Sequence, residues 1–261
     1  MIFEYAALTD VGRLRANNED AVLVSAEYGV AILADGMGGY NAGEVASSMA
    51  VEHISSELIR WLAEAAPQAS ARDVRRAMEI CVDHVNRAIF DASNTNPAYA
   101  GMGTTLVMAV RHGEKLVVGH VGDSRAYRWR AGILTQLTRD HSLLQEQIDM
   151  GLLTLEEAEL SNNRNLVTRA LGVEDAVLLD IQEIPVERGD TYLLCSDGLT
   201  DMISDADMTE LFSDHDDLLD LSHGLVDLAN AEGGRDNISV ALIRTGEMPK
   251  KSGVISKLLR K

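Results

Sequence analysis

Four aspartates of this 261-residue chain each stand where an apolar run meets a turn: Asp20, Asp35, Asp197 and Asp236. Carboxylates held together at the ends of buried strands repel one another and lose hydration, which is costly unless cations neutralise them. Ligand sets made only of oxygen suit hard divalent ions such as Mg²⁺ or Mn²⁺. The pattern therefore predicts a metal-dependent hydrolase.

A glycine-rich segment at residues 35–43 invites comparison with nucleotide-binding loops. A P-loop needs a lysine after its final glycine, but Glu44 stands there. A dinucleotide-binding pattern that begins at Gly36 fails at Asn41. We therefore predict that the glycines let the chain turn sharply, so that a backbone carbonyl approaches a cation beside Asp35.

The rest of the sequence alternates between short apolar runs and longer amphipathic stretches. The short runs, several of them joined by turn signals, predict strands that pair antiparallel. They cover residues 22–25, 30–34, 104–110, 115–121, 125–130, 177–184, 191–195 and 239–244. Apolar residues at helical spacing predict helices over about 42–62 and 71–92, and two more between 204 and 231. Asn41 and Ser70 are candidate N-caps, and the acidic stretch 214–220 is interpreted as a solvated helix start.

This order of elements predicts a sheet core with helices outside it. We expect one domain over residues 1–245, because the candidate metal residues span Asp20 to Asp236 and must converge. Residues 141–171 break the strand pattern and predict a surface flap, with a plain connection as the alternative. Residues 250–261 carry five basic residues and no acidic one. A flexible tail over 246–261 is expected, and weak attachment to an acidic partner or membrane surface is the alternative.

The composition excludes several classes of protein. A net charge of −18 and a pI near 4.7 would repel a phosphate backbone, so we expect no nucleic-acid binding. Cys81 and Cys195 lie in apolar settings and predict core thiols in a reducing compartment. The N-terminus lacks the pattern of a signal peptide, and no apolar run approaches the length of about 18 residues that marks a membrane span. We expect a monomeric, cytoplasmic protein.

The motifs around the aspartates resemble, in the same order, those of the metal-dependent protein phosphatases, the PPM or type 2C family. They lie at residues 10–20, 35–39, 103–105, 122–127, 138–142, 195–198 and 236–240. The resemblance covers about residues 3–244 and has the form of the compact bacterial branch.

The resemblance implies a four-layer αββα sandwich, an α+β fold in which two antiparallel sheets pack together with helices outside. It also implies a centre of two Mn²⁺ or Mg²⁺ ions. Asp35 would bridge the two ions, and the Gly36 carbonyl would bind one of them. Asp197 and Asp236 would complete the ligands of the other ion.

The same resemblance gives roles to further residues. Glu19 and Asp20 would bind waters held by the metals, or one metal directly. Asp123 matches the position that holds a third, weaker metal, shared with Asp197. Arg15 matches the family's phosphate-binding arginine, whose planar guanidinium holds two phosphate oxygens. Asn237 would support the ligands from behind.

The implied reaction is hydrolysis of phosphoserine and phosphothreonine on proteins. Two ions lower the pKa of a shared water, and the resulting hydroxide attacks phosphorus in line without a phosphoenzyme. The expected partners are phosphorylated proteins and an opposing serine/threonine kinase.

The chain departs from the family at two places. Met37 stands where some members carry a histidine proposed as general acid, and Ser161-Asn162 replaces the His-Pro of many bacterial relatives. His141, which opens the flap, is expected to form structural hydrogen bonds, and His120 is expected in the core.

Three alternatives remain open from the sequence. A catalytically silent PPM-like module would bind phosphoproteins, but it would be expected to lose a metal aspartate, and all are present. A regulatory phosphatase would serve one signalling target, although this chain carries no sensor extension. A hydrolase of small phosphate esters is chemically equivalent at the metal centre.

Overall fold

The computed structural model describes residues 1–39, 42–65, 68–154, 157 and 166–246. Its strands are β1 (Ile2–Asp10), β2 (Asp20–Ser25), β3 (Val30–Met37), β4 (Gly103–Thr104), β5 (Leu106–His112), β6 (Lys115–Val121), β7 (Arg125–Arg130), β8 (Ile133–Gln136), β9 (Asp180–Pro185), β10 (Thr191–Cys195) and β11 (Ile238–Gly246). Its α-helices are α1 (Ala42–Ala65), α2 (Ala71–Thr95), α3 (Leu143–Asp149), α4 (Asp197–Thr200), α5 (Asp205–Asp214) and α6 (Leu218–Ala231). A short 3-10 helix covers Pro97–Tyr99.

Two sheets form the centre of the fold. One has the strand order β1-β11-β10-β7-β8, and the other has β2-β3-β5-β6-β9 with β4 paired to β3. Neighbouring strands in the described residues run antiparallel. This arrangement confirms the prediction from the short turns between consecutive runs.

Alternate residues of the central strands face different layers, as the two-residue period of a strand requires. In β3, Val30 and Ile32 pack beneath α1 and α2, whereas Ala31 and Leu33 face the other sheet. Strand β11 alternates in the same way between α5 and α6 on one side and the space between the sheets on the other. The molecule therefore has four layers, α, β, β and α, and the predicted fold is confirmed.

The helices begin where the sequence supplies a cap. Ser70 and Asp73 form a complete capping box at the start of α2, an arrangement that stabilises a helix by about 1 kcal/mol. Ser204 begins α5 in the same manner, and Asp217 accepts two backbone N–H groups at the start of α6. The acidic stretch 214–220 therefore contains a helix start, as predicted. The other candidate cap, Asn41, lies outside the described residues.

The structure differs from the sequence predictions in its first strand, in β8 and at several boundaries. β1 and β8 were not predicted, and the predicted strand 104–110 divides into β4 and β5. The strand expected at 177–184 begins only at Asp180. In the predicted flap, α3 lies near the start, while Ser161-Asn162 falls outside the described residues, as does most of the basic tail.

No helix in the described part of the chain is long and apolar enough to cross a membrane.

Candidate metal centre

The predicted metal ligands lie at the same end of both sheets, at or next to the ends of strands. Asp20 begins β2 and is paired in register with Asp35, close to the end of β3. Asp197 lies two positions after the last residue of β10, and Asp236 lies two positions before β11 begins. Asp123 stands in the turn between β6 and β7. The antiparallel order brings these strand ends together, so residues far apart in sequence share one site.

Backbone geometry at the end of β3 is tightly constrained. The N–H of Asp35 donates to Thr105 Oγ1 at 3.1 Å, and the N–H of Thr105 donates to the Asp35 carbonyl at 2.8 Å. A Cβ on Gly36 would lie 2.1 Å from the Gly43 carbonyl oxygen and 2.6 Å from that of Glu19. Only glycine fits here, because β2, β3 and the start of α1 approach one another directly.

Asn237 joins the loops on the other side of the centre. Its Oδ1 accepts the N–H of Glu19 at 2.7 Å, and its Nδ2 donates to the carbonyls of Val11 and Asn17, both at 2.9 Å. A Cβ on Gly198 would lie 2.0 Å from the Asn237 carbonyl oxygen, so α4 begins directly against this residue. Asn237 and Glu19 therefore lie behind the aspartates, where they fix the positions of the loops.

The aspartates oppose one another electrostatically. Burial, followed by the negative charges of Asp20, Asp197, Asp123 and Asp236, holds the pKa of Asp35 well above its usual value. Burial and the charge of Asp123 have the same effect on the pKa of Asp197. Loss of hydration is thus the largest cause at both positions, and mutual repulsion adds to it. A cation among these groups would remove both penalties.

Asp20 and Asp123 are affected in the same direction. Burial raises the pKa of Asp20 to about 6, against hydrogen bonds from Ser239 and Ser196 that favour the charged form. Burial and the nearby charge of Asp140 raise the pKa of Asp123 to about 6. Metal binding to such groups requires deprotonation, so it is coupled to proton release.

One oxygen of Asp20 shows directly that the donor set suits a hard cation. Ser196 Oγ donates to Asp20 Oδ2 at 2.8 Å, but Oδ1 is buried and has no hydrogen-bond partner among the residues that the structure describes. An unpaired buried carboxylate oxygen is costly unless a cation or a water held by a cation meets it. The neighbouring donors are carboxylates and a backbone carbonyl, which are the ligands that Mg²⁺ and Mn²⁺ prefer. The residues present therefore fit divalent ions.

Arg15 lies beside the aspartates, in the loop between β1 and β2. Its Nη2 donates to Asp236 Oδ2 at 2.6 Å, while 52% of its side chain stays exposed. Burial alone would lower the pKa of Arg15, but the charge and hydrogen bond of Asp236 outweigh this and raise it. The guanidinium is thus charged, and it reaches solvent beside the aspartates.

Sequence reasoning missed several residues that shape this centre. Asp201 is the C-cap directly after α4, and its charge raises the pKa of both Asp197 and Asp123. Thr105 Oγ1 and Ser124 Oγ share a 2.7 Å hydrogen bond that links the Asp35 strand to the Asp123 turn. The motifs contain Thr105 and Ser124, but the contact joins two strands and spacing alone does not reveal it. Asp201 had a weak signal, since it lies one helical turn after Asp197.

Comparisons with known proteins agree with this geometry. The family model for protein phosphatase 2C matches residues 13–238. The serine/threonine phosphatase stp of Listeria innocua is 38% identical over 245 residues, which are 93% of this chain and 96% of the relative. The crystal structure of the serine/threonine phosphatase PstP/Ppp of Mycobacterium tuberculosis has a TM-score of 0.86 and 37% identity, covering 95% of this chain and 100% of that one.

A second solved structure bears on the metal question. It is the catalytic domain of the serine/threonine protein phosphatase PstP in complex with two manganese ions. It matches with a TM-score of 0.79 and 37% identity, covering 94% of this chain and 99% of that one. The edge of converging aspartates, the four-layer fold and these matches together show that the chain belongs to the protein phosphatase 2C family.

Proposed function

We propose that this chain is a metal-dependent protein serine/threonine phosphatase that hydrolyses phosphoserine and phosphothreonine on other proteins. The observation that carries the proposal is the convergence of Asp20, Asp35, Asp197 and Asp236 at one edge of the two sheets. Membership of the family and the names of the relatives support the substrate class.

We assign the metal ligands residue by residue from the family motifs. Asp35 would bridge two Mn²⁺ or Mg²⁺ ions, and the Gly36 carbonyl would bind one of them. Asp197 and Asp236 would bind the other ion. Two manganese ions in the PstP catalytic domain support this number. When bound, such ions lower the pKa of a shared water and offset negative charge at phosphorus.

The outer positions of the centre have distinct proposed roles. Asp20 would act through water or bind one ion directly, which agrees with its unpaired Oδ1. Asp123 would hold a third, weaker ion together with Asp197. Glu19 and Asn237 would keep the loops in place through the hydrogen bond from the Glu19 N–H to Asn237 Oδ1.

Substrate phosphate would meet Arg15, whose planar guanidinium can hold two phosphate oxygens. Arg15 must then exchange its contact with Asp236 for the phosphate. Met37 occupies the position of the proposed general acid, and its thioether has no proton to give. The proton for the leaving oxygen would therefore come from water.

The proposed setting is a bacterial cytoplasm, in which a serine/threonine kinase opposes the phosphatase. Cys81 and Cys195 are both free and buried, which suits a reducing compartment. We propose a monomer, because the described residues supply all the proposed ligands from one chain. A flexible basic tail beyond the last strand, with weak attachment to an acidic surface, remains a separate proposal.

The test is replacement of the bridging ligand. Asp35→Asn should reduce Mn²⁺-dependent hydrolysis of a phosphothreonine peptide by about 100-fold or more, because the bridge and its charge are lost. Circular dichroism should show an unchanged fold. The matched control is Asp227→Asn, which alters an exposed aspartate on α6 and should leave turnover intact.

Different outcomes separate the alternatives. Near-normal turnover by Asp35→Asn would refute the proposed mechanism. A wild-type protein that binds Mn²⁺ and phosphopeptide without hydrolysis would be a silent binding module. Hydrolysis of p-nitrophenyl phosphate without any action on phosphoproteins would indicate a small-ester hydrolase.

A further inference from the structure

His141 stands where the predicted flap joins the turn that carries Asp123. Its backbone N–H donates to the Gly122 carbonyl at 2.9 Å. In return, the N–H of Gly122 donates to the Nδ1 atom of the His141 ring at 3.0 Å. The side chain is only 10% exposed. The residue immediately before Asp123 is therefore held by both the backbone and the ring of His141.

The contacts of the ring decide its tautomer. Nδ1 accepts a hydrogen bond from the Gly122 N–H, so in the neutral ring the ring proton lies on Nε2. Nε2 faces Asp180 Oδ2 at 3.2 Å, where it can donate. In the other tautomer, the proton on Nδ1 would face the N–H of Gly122, and the unprotonated Nε2 would face the carboxylate oxygen of Asp180. The neutral ring with its proton on Nε2 fits best, although Arg169 Nη1 lies 3.1 Å from that nitrogen.

This tautomer argues against a metal site at the same place. His120, His141 and Asp180 form a group with two imidazoles and one carboxylate, a set that binds transition metals elsewhere. However, the Nε2 atom of His141 carries its proton and has no free lone pair. The positive guanidinium of Arg169 also lies against Asp180, at 2.9 Å from Oδ1. The group is a hydrogen-bonded link between segments.

The other partners of His141 belong to the returning end of the flap. The N–H of Thr168 donates to the His141 carbonyl at 2.8 Å, and Arg169 pairs with Asp180. The first and last parts of the flap also meet next to His141, through the N–H of Leu143 and the Leu166 carbonyl at 2.9 Å. One residue thus contacts both the closed base of the flap and the Asp123 turn.

We propose that His141 is a positioning residue that fixes the Gly122–Asp123 turn relative to the base of the flap and thereby sets the weak third metal site. This rests on the proposed function, since Asp123 is a ligand only if the centre binds metal. A shift at the flap base would reach Asp123 through one ring and two backbone hydrogen bonds.

Two substitutions separate the two ends of the ring. In His141→Asn, the side-chain carbonyl can take the place of Nδ1 and accept from Gly122, although the link to Asp180 is lost. In His141→Gln, the longer amide can reach Asp180 but places no acceptor at Gly122. The control is His84→Gln, which alters an exposed histidine on α2.

Mn²⁺ binding, followed by calorimetry, is the first readout. His141→Gln should weaken the weakest Mn²⁺ site by about tenfold, as loss of a hydrogen bond behind a ligand does elsewhere. The tighter sites should change by less than about twofold, and His141→Asn should restore the weak site. An unchanged weak site in His141→Gln would overturn the proposal, and so would equal weakening of all sites.

A second readout uses the wild-type protein without metal, so it covers a His141→Gln variant that fails to fold. Burial, then the charges of His120 and Arg169, lower the pKa of His141 against the opposing effect of Asp180. Protonation below that pKa converts Nδ1 into a donor and removes the bond from Gly122. The NMR resonances of the Gly122 amide and the His141 ring should therefore titrate with one midpoint. A Gly122 amide resonance that does not shift as the His141 ring titrates would overturn the proposal.

The two proposals fail in different ways. A wild-type protein that binds no Mn²⁺ would refute the phosphatase centre, whereas the shared titration of Gly122 and His141 would still be observed. Normal Mn²⁺-dependent turnover with no shared titration would refute only the positioning role of His141.

Discussion

The side chains at the centre are of two kinds: buried carboxylates, whose charge a cation would stabilise, and one guanidinium, whose charge an anion would stabilise. Burial and mutual repulsion raise the pKa of Asp35 and Asp197, so their ionised forms are costly until a metal joins them. Arg15 is the opposite case, since it is charged, half exposed and paired with Asp236. An exposed ion pair of this kind contributes about 1 kcal/mol or less. A metal at Asp236 and a substrate phosphate at Arg15, as proposed, would therefore displace this ion pair at little cost.

Arg15→Ala tests this division of roles. Loss of the planar donor should lower kcat/KM for a phosphothreonine peptide by about 100-fold, because positive charge at the phosphate is removed. Mn²⁺ affinity should stay close to normal, since Arg15 is not a ligand. Arg15→Lys should recover only part of the activity, because an ammonium group lacks the two-pronged geometry. Steady-state kinetics and calorimetry check the two effects.

The control for Arg15 is a nearby arginine. Arg13 is exposed and holds the same loop through its backbone N–H, which donates to Gly234 at 2.7 Å. Arg13→Ala should leave kcat/KM within about twofold of wild type. A selective loss of Mn²⁺ affinity in Arg15→Ala would show that its role at the centre is misassigned.

At the scale of elements, the site depends on how closely β2, β3 and α1 approach one another. Gly36→Ala tests this packing, because the new Cβ would lie 2.1 Å from the Gly43 carbonyl oxygen at the start of α1. Helix α1 must then move away, which should displace the Gly36 carbonyl and weaken Mn²⁺ binding by about tenfold or more. Overpacking also costs about 1–3 kcal/mol of stability.

Gly39→Ala is the matched control for Gly36→Ala, because its added Cβ would meet no atom of the described residues within 4 Å beyond its own chain neighbours. It should bind Mn²⁺ as the wild type does and lose little stability. Calorimetry measures the binding and thermal unfolding measures the stability. Equal effects of the two substitutions would show that the close approach at Gly36 is not what holds the site.

The sequence predicted elements with strong periodicity and missed those without it. β1 places Tyr5 and Ala7 against the layer between the sheets and Ala6 and Leu8 against the helices. Since both faces are partly covered, its sequence shows no clear alternation of polar and apolar residues. β8 is only four residues long and exposes Ile133, so it resembles a loop. Short edge strands are identified by their partners, which a single sequence does not display.

The centre itself was more predictable than the elements around it, for a physical reason. Asp35, Asp197 and Asp236 each lie at a strand end beside glycine or asparagine, so the carboxylate and its turn appear together in sequence. The hydroxyls that hold the aspartates also lie in the motifs, but their partners do not appear there: Ser196 donates to Asp20, and Thr105 accepts the N–H of Asp35. Their role depends on contacts between strands distant in sequence, which only the fold reveals.

At the scale of the whole molecule, the metal centre and a buried ion pair occupy opposite ends of the same sheets. Asp190 precedes β10, has no exposed surface and accepts two donors of Arg130, at 2.7 Å each. Its Oδ2 also accepts the Tyr192 hydroxyl and the N–H of Glu187. The Asp190 carbonyl accepts the N–H of Thr245 at the end of β11. This network joins three strands far from the catalytic edge.

Asp190→Ala should therefore destabilise the fold without altering the centre. Removing one partner of a buried pair costs about 3–5 kcal/mol, and the loss here should lie near the lower end because Arg130 is 25% exposed and keeps its contact with Glu187. Tm should fall by roughly 10 °C in a chain of this size. Mn²⁺ affinity should be unchanged at temperatures where the variant is folded. Thermal unfolding and calorimetry measure the two quantities. Loss of Mn²⁺ binding in the folded variant would show that the two ends of the sheets are coupled.

The effect of Asp190→Ala should also depend on pH in a defined direction. Burial alone would raise the pKa of Asp190, but Arg130, the Glu187 N–H and the Tyr192 hydroxyl outweigh it and lower the pKa below its usual 3.8. A depressed carboxyl pKa contributes stability above the unfolded value, and that contribution is lost as pH falls through the folded value. The difference in unfolding free energy between wild type and Asp190→Ala should thus stay constant from about pH 5 to 8 and shrink below about pH 4. Denaturant unfolding across this range measures it, and a difference that grows on acidification would contradict the assigned charge of Asp190.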